Sequence, residues 1–396
     1  MTKINDAEIT FKSGREASLL RGHPWVFSGA VASVRGNPSD GDIVLARDAK
    51  GRALALGFFN RKTDISFRVL TRDCDKAVDA DFWRARLNSA VQLRRTLLPS
   101  QTNAYRLINA EGDGFPGLIG DVYHDTMVVS ITTAGMEKIR QSVIDALIGQ
   151  IGPARIYEQS AGRSRGLEGL EERRGFIYGD DPKGAVRVME NGHAFDVDVI
   201  GGQKTGFFLD QRVNRETLGA LSRGAGVLNC FCYTGAFSVY AAAGGAKKVV
   251  SLDISKSACA AASGHLRLNG FSSAAHPVIE TDVFQYLRDM PESYDVIVLD
   301  PPAFAKSKRD VPKASRGYKD INMQAVKRLP AGGILATFSC SNFIDEDLFC
   351  KIVQGAARDA RADFQLLARL EASPDHPLAL GHPEGRYLKG LLLRKV

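Results

Sequence analysis

The residues best suited to chemistry lie in the second half of the chain, each where an apolar run ends. Asp300 follows DVIVL and opens Asp300-Pro301-Pro302-Ala303-Phe304, Cys340 follows GGILATF between Ser339 and Ser341, Asp253 closes KKVVSLD, and Asp282 follows VIET. Two successive prolines can neither extend a central strand nor enter a helix interior, so the chain must leave the sheet at Asp300 in a stiff, preset shape. A rigid carboxylate followed by exposed carbonyls suits the edge of a flat base. Asp253 is placed to accept both hydroxyls of an adenosine ribose, and Asp282 to face the adenine edge. Both positions also fit a second reading, because Asp is a favoured N-cap for the helix that follows.

Gly235, in FCYTGAFSVYAAAGGA, marks a strand-to-helix turn, and the small residues after it let a helix pack closely on a sheet. A dinucleotide site would require G-x-G-x-x-G and a pyrophosphate on the helix N-terminus. That pattern is missing from the segment. One turn glycine is enough for a ligand without phosphates to cradle, such as an adenosyl sulfonium.

The elements that must position these groups follow from the spacing of apolar runs. GVLNCF, KVVSLDIS, HPVIETDV, YDVIVLDPP and GGILATFSCS alternate with helical stretches, which implies parallel strands joined by right-handed crossovers in a doubly wound α/β sheet. In such a sheet ligands bind at the carboxyl ends of strands. Residues 1–75 instead read as short strands (EITFK, PWVFSGAVASVRG, DIVLARDAKG, ALALGFF, ISFRVLT) separated by glycine and polar turns, the spacing of a small all-β barrel. Residues 76–185 read as an α+β unit: a helix over Asp79–Leu98, strands near 105–110, 118–121 and 127–131, a helix over 138–148 and a strand at 155–159. Asn191-Gly192 is a hairpin signal. The junction to the doubly wound domain, residues 186–396, is placed near Val186.

With 396 residues, 44% of them hydrophobic, the chain has the composition of a multidomain globular protein. Lys and Arg outnumber Asp and Glu by 52 to 45, a formal charge of +7, which favours a polyanionic partner. The six cysteines show no CxxC pairs and no histidines at ligand spacing, so neither a metal site nor a disulfide framework is indicated. Neither a signal peptide nor a run of about 18 apolar residues is present, so a cytoplasmic protein with no membrane partner is expected.

With these residues in place, the chain resembles the bacterial 23S ribosomal RNA cytosine-5 methyltransferase family of the large-subunit methyltransferase I type, which joins a PUA domain to a Rossmann-like class I methyltransferase domain. The resemblance rests on LLRGHPWVFSGAV, GGQKTGFFLDQR, LNCFCYTGAFSVYAAAGGA, LDISKSA, LRLNG, LDPPAFAKSK, FSCS and HPEGRYLKGLLLR, in that order over nearly the whole chain. It implies a pocket for S-adenosyl-L-methionine formed by Gln211, Arg212, Phe231, Tyr233, Gly235, Asp253, Asp282 and Asp300, with Lys204 and Phe207 close by. It also implies that Cys340 is the nucleophile. The expected partner is RNA, specifically 23S ribosomal RNA, held in part by the N-terminal barrel and the middle domain. A homodimer is compatible with the sequence.

The chemistry agrees with that assignment. Carbon 5 of cytosine is a poor nucleophile until a group adds to carbon 6, and a thiolate is the natural group to add. Asp300, the catalytic partner of that thiolate, would hydrogen-bond to or protonate the ring nitrogen and so stabilise charge as it adds. Ala303 stands after Pro302, where many RNA cytosine-5 enzymes carry a second cysteine, so the base that takes the carbon-5 proton is not identified. Residues 304–319 carry six Lys or Arg against one Asp, and Lys306, Lys308, Arg309, Lys313 and Arg316 are expected to meet phosphates. The basic stretch 163–174 is nearly balanced by glutamates and carries less weight. Competing readings are a purine-nitrogen methyltransferase, which has no use for Cys340, a nucleotide-dependent oxidoreductase, and a silent RNA-binding protein.

Overall fold

The computed structural model describes residues 7–289 and 292–396. The chain divides into two compact units, one comprising residues up to 191 together with 197–209 and 374–385, the other 192–196, 210–373 and 386–396.

The first unit holds two sheets. Six short strands lie in the order Trp25–Val26, Phe67–Thr71, Ala53–Phe59, Ile43–Arg47, Glu8–Phe11 and Val31–Arg35. Alternation sets their inner face, where Ile9, Phe11, Val44, Phe59 and Phe67 form one core. Five further strands run in the order Arg173–Tyr178, Arg155–Ser160, Thr126–Ile131, Leu118–Tyr123 and Ala104–Asn109. One face of this sheet packs on the helices Ala80–Leu97 and Arg140–Ile151 through Leu118, Met127, Val129 and Ile156. The first helix starts where the Asp79 carboxylate accepts the Asp81 and Phe82 amides. Strand Arg173–Tyr178 was not anticipated: RRGFIY has no clean alternation, because it is an edge strand with a register shift opposite Ile156 and Tyr157.

The hairpin signal at Asn191-Gly192 is realised between strands Val186–Glu190 and His193–Val197, with φ of 49° and 82°, the left-handed pair that a two-residue hairpin turn needs.

The strands of the second unit are numbered from its first: β1 (Gly226–Cys230), β2 (Lys248–Asp253), β3 (Val278–Glu280), β4 (Val296–Leu299), β5 (Ile334–Ser339), β6 (Phe364–Leu370) and β7 (Lys389–Lys395). Their order is β3-β2-β1-β4-β5-β7-β6. All neighbours are parallel except β7, which runs antiparallel to both β5 and β6. The helices are α1 (Arg212–Ala220), α2 (Ala236–Ala243), α3 (Lys256–Leu268), α4 (Val283–Asp289), α5 (Val311–Arg328) and α6 (Glu346–Asp359). Every residue of β1 and β4 is buried, as expected of strands covered on both faces. The strand order reverses between β1 and β4, so β2 and β4 leave β1 on opposite sides and open a crevice at its carboxyl end. Among the described residues no helix is long and apolar enough to cross a membrane.

Candidate active site

The loop after β1 is shaped by its backbone. Phe231, Tyr233 and Gly235 have φ of 58°, 47° and 76°, so left-handed residues alternate through Phe231-Cys232-Tyr233-Thr234-Gly235. Two of the three carry side chains, and strain of this kind persists only where the surroundings enforce it. The Cys232 amide donates to the Leu252 carbonyl at 2.8 Å, and the Tyr233 amide to Asp253 Oδ2 at 2.9 Å. Gly235 is required for close packing as well as for its φ, since a Cβ there would lie 2.7 Å from that of Ala262 on α3.

Asp253 is not the cap of the following helix. Ser255 caps α3 by accepting the Ala258 amide, while Asp253 accepts Tyr233 and, at 2.9 Å, the Ser255 amide. The carboxylate thus ties the loop after β1 to the end of β2 and retains lone pairs for a further donor. Asp282 does behave as a cap: it is exposed, and its Oδ1 accepts the Gln285 amide at 3.0 Å at the start of α4.

Asp300 and Cys340 stand at the ends of adjacent strands β4 and β5. Gln211 donates from Nε2 to Asp300 Oδ2 at 3.1 Å and accepts from Asn214 at 2.6 Å, which fixes the carboxylate from the start of α1. Arg212, the next residue, is buried at 3% exposure. Cys340 is half-buried, its Sγ 4.0 Å from the carbonyl oxygen of Pro301. Around it runs a buried hydroxyl network that sequence reasoning missed. Tyr318 Oη lies 3.0 Å from Ser341 Oγ and 3.1 Å from Ser339 Oγ, and Ser341 Oγ accepts the Ala305 amide at 3.2 Å. One tyrosine on α5 therefore joins the segment after Asp300 to the turn holding Cys340.

Lys389 was missed as well, although a lysine opening the apolar run GLLL is a readable sign of a buried charge. It lies opposite Ser339 in the β5–β7 ladder, is 5% exposed, and donates from Nζ to the Ser341 carbonyl at 2.8 Å. Burial pushes its pKa below the ordinary 10.5, while the neighbouring Cys340 thiol, Asp345 and Glu346 pull it back up. The other sulfurs near the crevice lack that setting. Burial drives the thiols of Cys230, Cys232 and Cys259 upward, and the Asp253 charge adds to the effect on the last two.

Phe231 and Phe304 bracket Phe284, with centroids 6.3 and 6.0 Å apart, and Phe304 continues to Tyr318 at 4.6 Å. Lys306, Lys308, Arg309, Lys313 and Arg316 are all exposed. The expected loop is only partly one: Lys313 and Arg316 lie on α5, whose start accommodates Pro312 within its first two positions, where the missing amide costs nothing. Lys204 and Phe207 belong to the first unit.

The donor set fits an adenosyl sulfonium. A strand-end carboxylate, a left-handed loop with aromatic side chains and the Gln211–Asp300 pair suit a ribose diol and a positive sulfur, and the turn has no glycine-rich amide cradle for phosphate. A family model for S-adenosylmethionine-dependent methyltransferases matches residues 137–394, and one for PUA-like domains matches residues 9–72. Fold and site together define a methyltransferase of Rossmann-like fold that uses S-adenosylmethionine, preceded by a PUA-like β domain.

The chain belongs to the ribosomal RNA large subunit methyltransferase I family. It is 46% identical to the protein of that name from Aeromonas hydrophila over 393 residues, covering 98% of this chain and 99% of the relative. It is 44% identical to the one from Shewanella denitrificans over 391 residues, 98% of each. The same fold occurs in a Streptococcus mutans protein described as a SAM-dependent methyltransferase, with a TM-score of 0.82 and 24% identity over 98% of this chain and 99% of that one. SMU.776, a methyltransferase solved with S-adenosylhomocysteine, aligns with a TM-score of 0.84 and 24% identity over the same shares.

Proposed function

We propose that this chain methylates carbon 5 of a cytosine in 23S ribosomal RNA through a covalent adduct at Cys340. The relatives' names supply the RNA class. The observation that carries the chemistry is the pairing of a half-buried thiol and a fixed carboxylate at adjacent strand ends, with the buried ammonium of Lys389 beside the thiol.

Asp253, Gln211, Phe231, Tyr233, Gly235 and Asp300 would hold S-adenosylmethionine, with Arg212 supporting the pocket from within α1 and Asp282 at its rim. The cofactor supplies the methyl group. The Lys389 ammonium favours the thiolate of Cys340, because a positive charge at a poorly solvated site lowers a neighbouring thiol's pKa. The thiolate adds to carbon 6 while Asp300, in its protonated form, donates its proton to the ring nitrogen and so neutralises the negative charge that develops on the ring. After transfer the carbon-5 proton leaves and the carbon–sulfur bond breaks, which regenerates the thiolate. Lys306, Lys308, Arg309, Lys313 and Arg316 would contact phosphates.

The test uses substrate RNA carrying 5-fluorocytosine, which lacks the proton whose loss releases the enzyme. The expected result is an adduct that survives denaturation and maps to Cys340, together with a Cys340→Ala enzyme that binds cofactor and RNA but does not turn over. An active Cys340→Ala enzyme would falsify covalent catalysis and move the purine-nitrogen reading to first place.

A further inference from the structure

The five-stranded sheet of the first unit buries one face against its helices; the other face is closed over Tyr123, Val128 and Tyr157 but is polar at Ser130, Gln159 and Arg174. Ile119 pairs with Ser130, Glu158 with Val129, and Gln159 with Arg174, so Ile119, Ser130, Gln159 and Arg174 form one row across four strands. Arg106, opposite Asp121, stands in the next row. With Lys204 and Thr205 these residues line a cavity of about 450 Å³, within the roughly 300–1,000 Å³ of small-ligand pockets.

The cavity's floor is rigid. Asp121 is fully buried and accepts Arg106 Nε at 2.8 Å and Nη2 at 2.9 Å, as well as the Thr205 hydroxyl at 2.6 Å, which also meets Tyr123 Oη at 3.0 Å. Gln159 donates from Nε2 to the Lys204 carbonyl at 3.2 Å, which leaves its Oε1 buried without a hydrogen-bond partner. A buried acceptor of that kind calls for a donor. Glu172 also lines the cavity, but it accepts the Gly162 amide and lies 3.6 Å from an exposed Arg174, a pairing weak enough to yield to phosphate. Two residues along the same strands, Tyr157 and Phe176 meet edge to face at 5.1 Å, and Phe176 remains partly exposed.

We infer that this face is a binding pocket for a nucleotide of single-stranded RNA. Arg174 and Lys204 meet its phosphate, Gln159 Oε1 accepts a hydrogen bond from a base amine or the ribose 2′-hydroxyl, and the partly exposed Phe176 offers an aromatic ring on which a base can stack. A sheet that offers cations, an amide and an aromatic side chain is suited to splayed single strands, where sugar and base edges are accessible. The inference rests on RNA being the substrate, and it gives a role to the basic stretch 163–174 that charge balance had discounted.

The test is fluorescence anisotropy of the full chain with a labelled single-stranded oligoribonucleotide at several salt concentrations. Arg174→Ala should weaken binding about three- to tenfold and flatten the salt dependence by roughly 0.7 of a unit of slope, one single-strand phosphate contact. Gln159→Leu should weaken it by a similar factor at unchanged slope and reduce the preference for RNA over the matching DNA. Calorimetric affinity for S-adenosylmethionine should be unchanged in both, and unchanged urea denaturation of the full chain reports that the variants are folded. Unchanged RNA affinity in both variants overturns the proposal, as does CMP or AMP binding at this pocket as tightly as the oligomer. Because the assay needs no turnover, it separates failure of the pocket from failure of the covalent mechanism, which the 5-fluorocytosine adduct reads.

Discussion

Lys389 carries a sharp expectation. Its ammonium is buried against the turn that holds Cys340, so Lys389→Met should raise the pH midpoint of Cys340 alkylation by about one unit, equivalent to about 1.4 kcal/mol, and Lys389→Arg should largely restore it. Iodoacetamide rates against pH, with Cys340 followed by peptide mapping, read this directly; an unmoved midpoint in a variant that still binds cofactor would show that the thiol does not feel the charge. The sign for stability runs the other way. With its folded pKa below 10.5, Lys389 binds fewer protons folded than unfolded between the two values, so stability rises with pH across that window and the methionine variant loses the slope. The strand-end positions of Asp300, Cys340 and Asp253 were legible because each ends an apolar run. Asp282 shows the limit, since an N-cap and a ligand contact look the same in sequence and its carboxylate caps α4 by accepting the Gln285 amide. Tyr318 and Ser341 were illegible because their partnership spans 23 residues.

At the scale of elements, the alternation of strand and helix revealed the doubly wound sheet, but not β7, whose reversal depends on long-range pairing with β5 and β6. The edge strand Arg173–Tyr178 escaped for the opposite reason, since its pattern is too weak to stand out. Contact between β4 and β5 is regular, whereas the segments beyond their ends meet through side chains: Ser341 Oγ accepts from Ala305, and Tyr318 bonds both serines. Tyr318→Phe keeps the ring packing and deletes the shared hydroxyl. Leaving buried serine groups unsatisfied should destabilise the fold by about 1–3 kcal/mol, measured by urea denaturation. The rate of adduct formation at Cys340 should fall while cofactor affinity stays the same. If stability drops and the adduct rate does not, the network holds the sheet together without aligning the site.

At the scale of the whole molecule, composition gave a formal charge of +7 but not its placement, and sequence order did not reveal that residues 374–385 belong with the first unit. Buried Arg94 explains the latter: it forks onto Asp113 at 2.6 and 2.8 Å and donates to the carbonyls of Arg106 at 2.8 Å and Asp375 at 2.7 Å, and a guanidinium at 1% exposure requires these acceptors. Charge placement leads to the last expectation. Lys306, Lys308 and Arg309 are exposed and adjacent at the approach to α5, so they can follow a phosphate backbone with little cost to the fold. Replacing all three with alanine should flatten the salt dependence of RNA binding by up to about two units, since each phosphate contact on a single strand contributes roughly 0.7. Cofactor affinity should stay within about twofold. Combined with Arg174→Ala, the losses in binding free energy should add, because the two groups share no partner. A triple variant with the wild-type salt slope would mean that these cations face solvent in the complex and that the net charge acts only by steering.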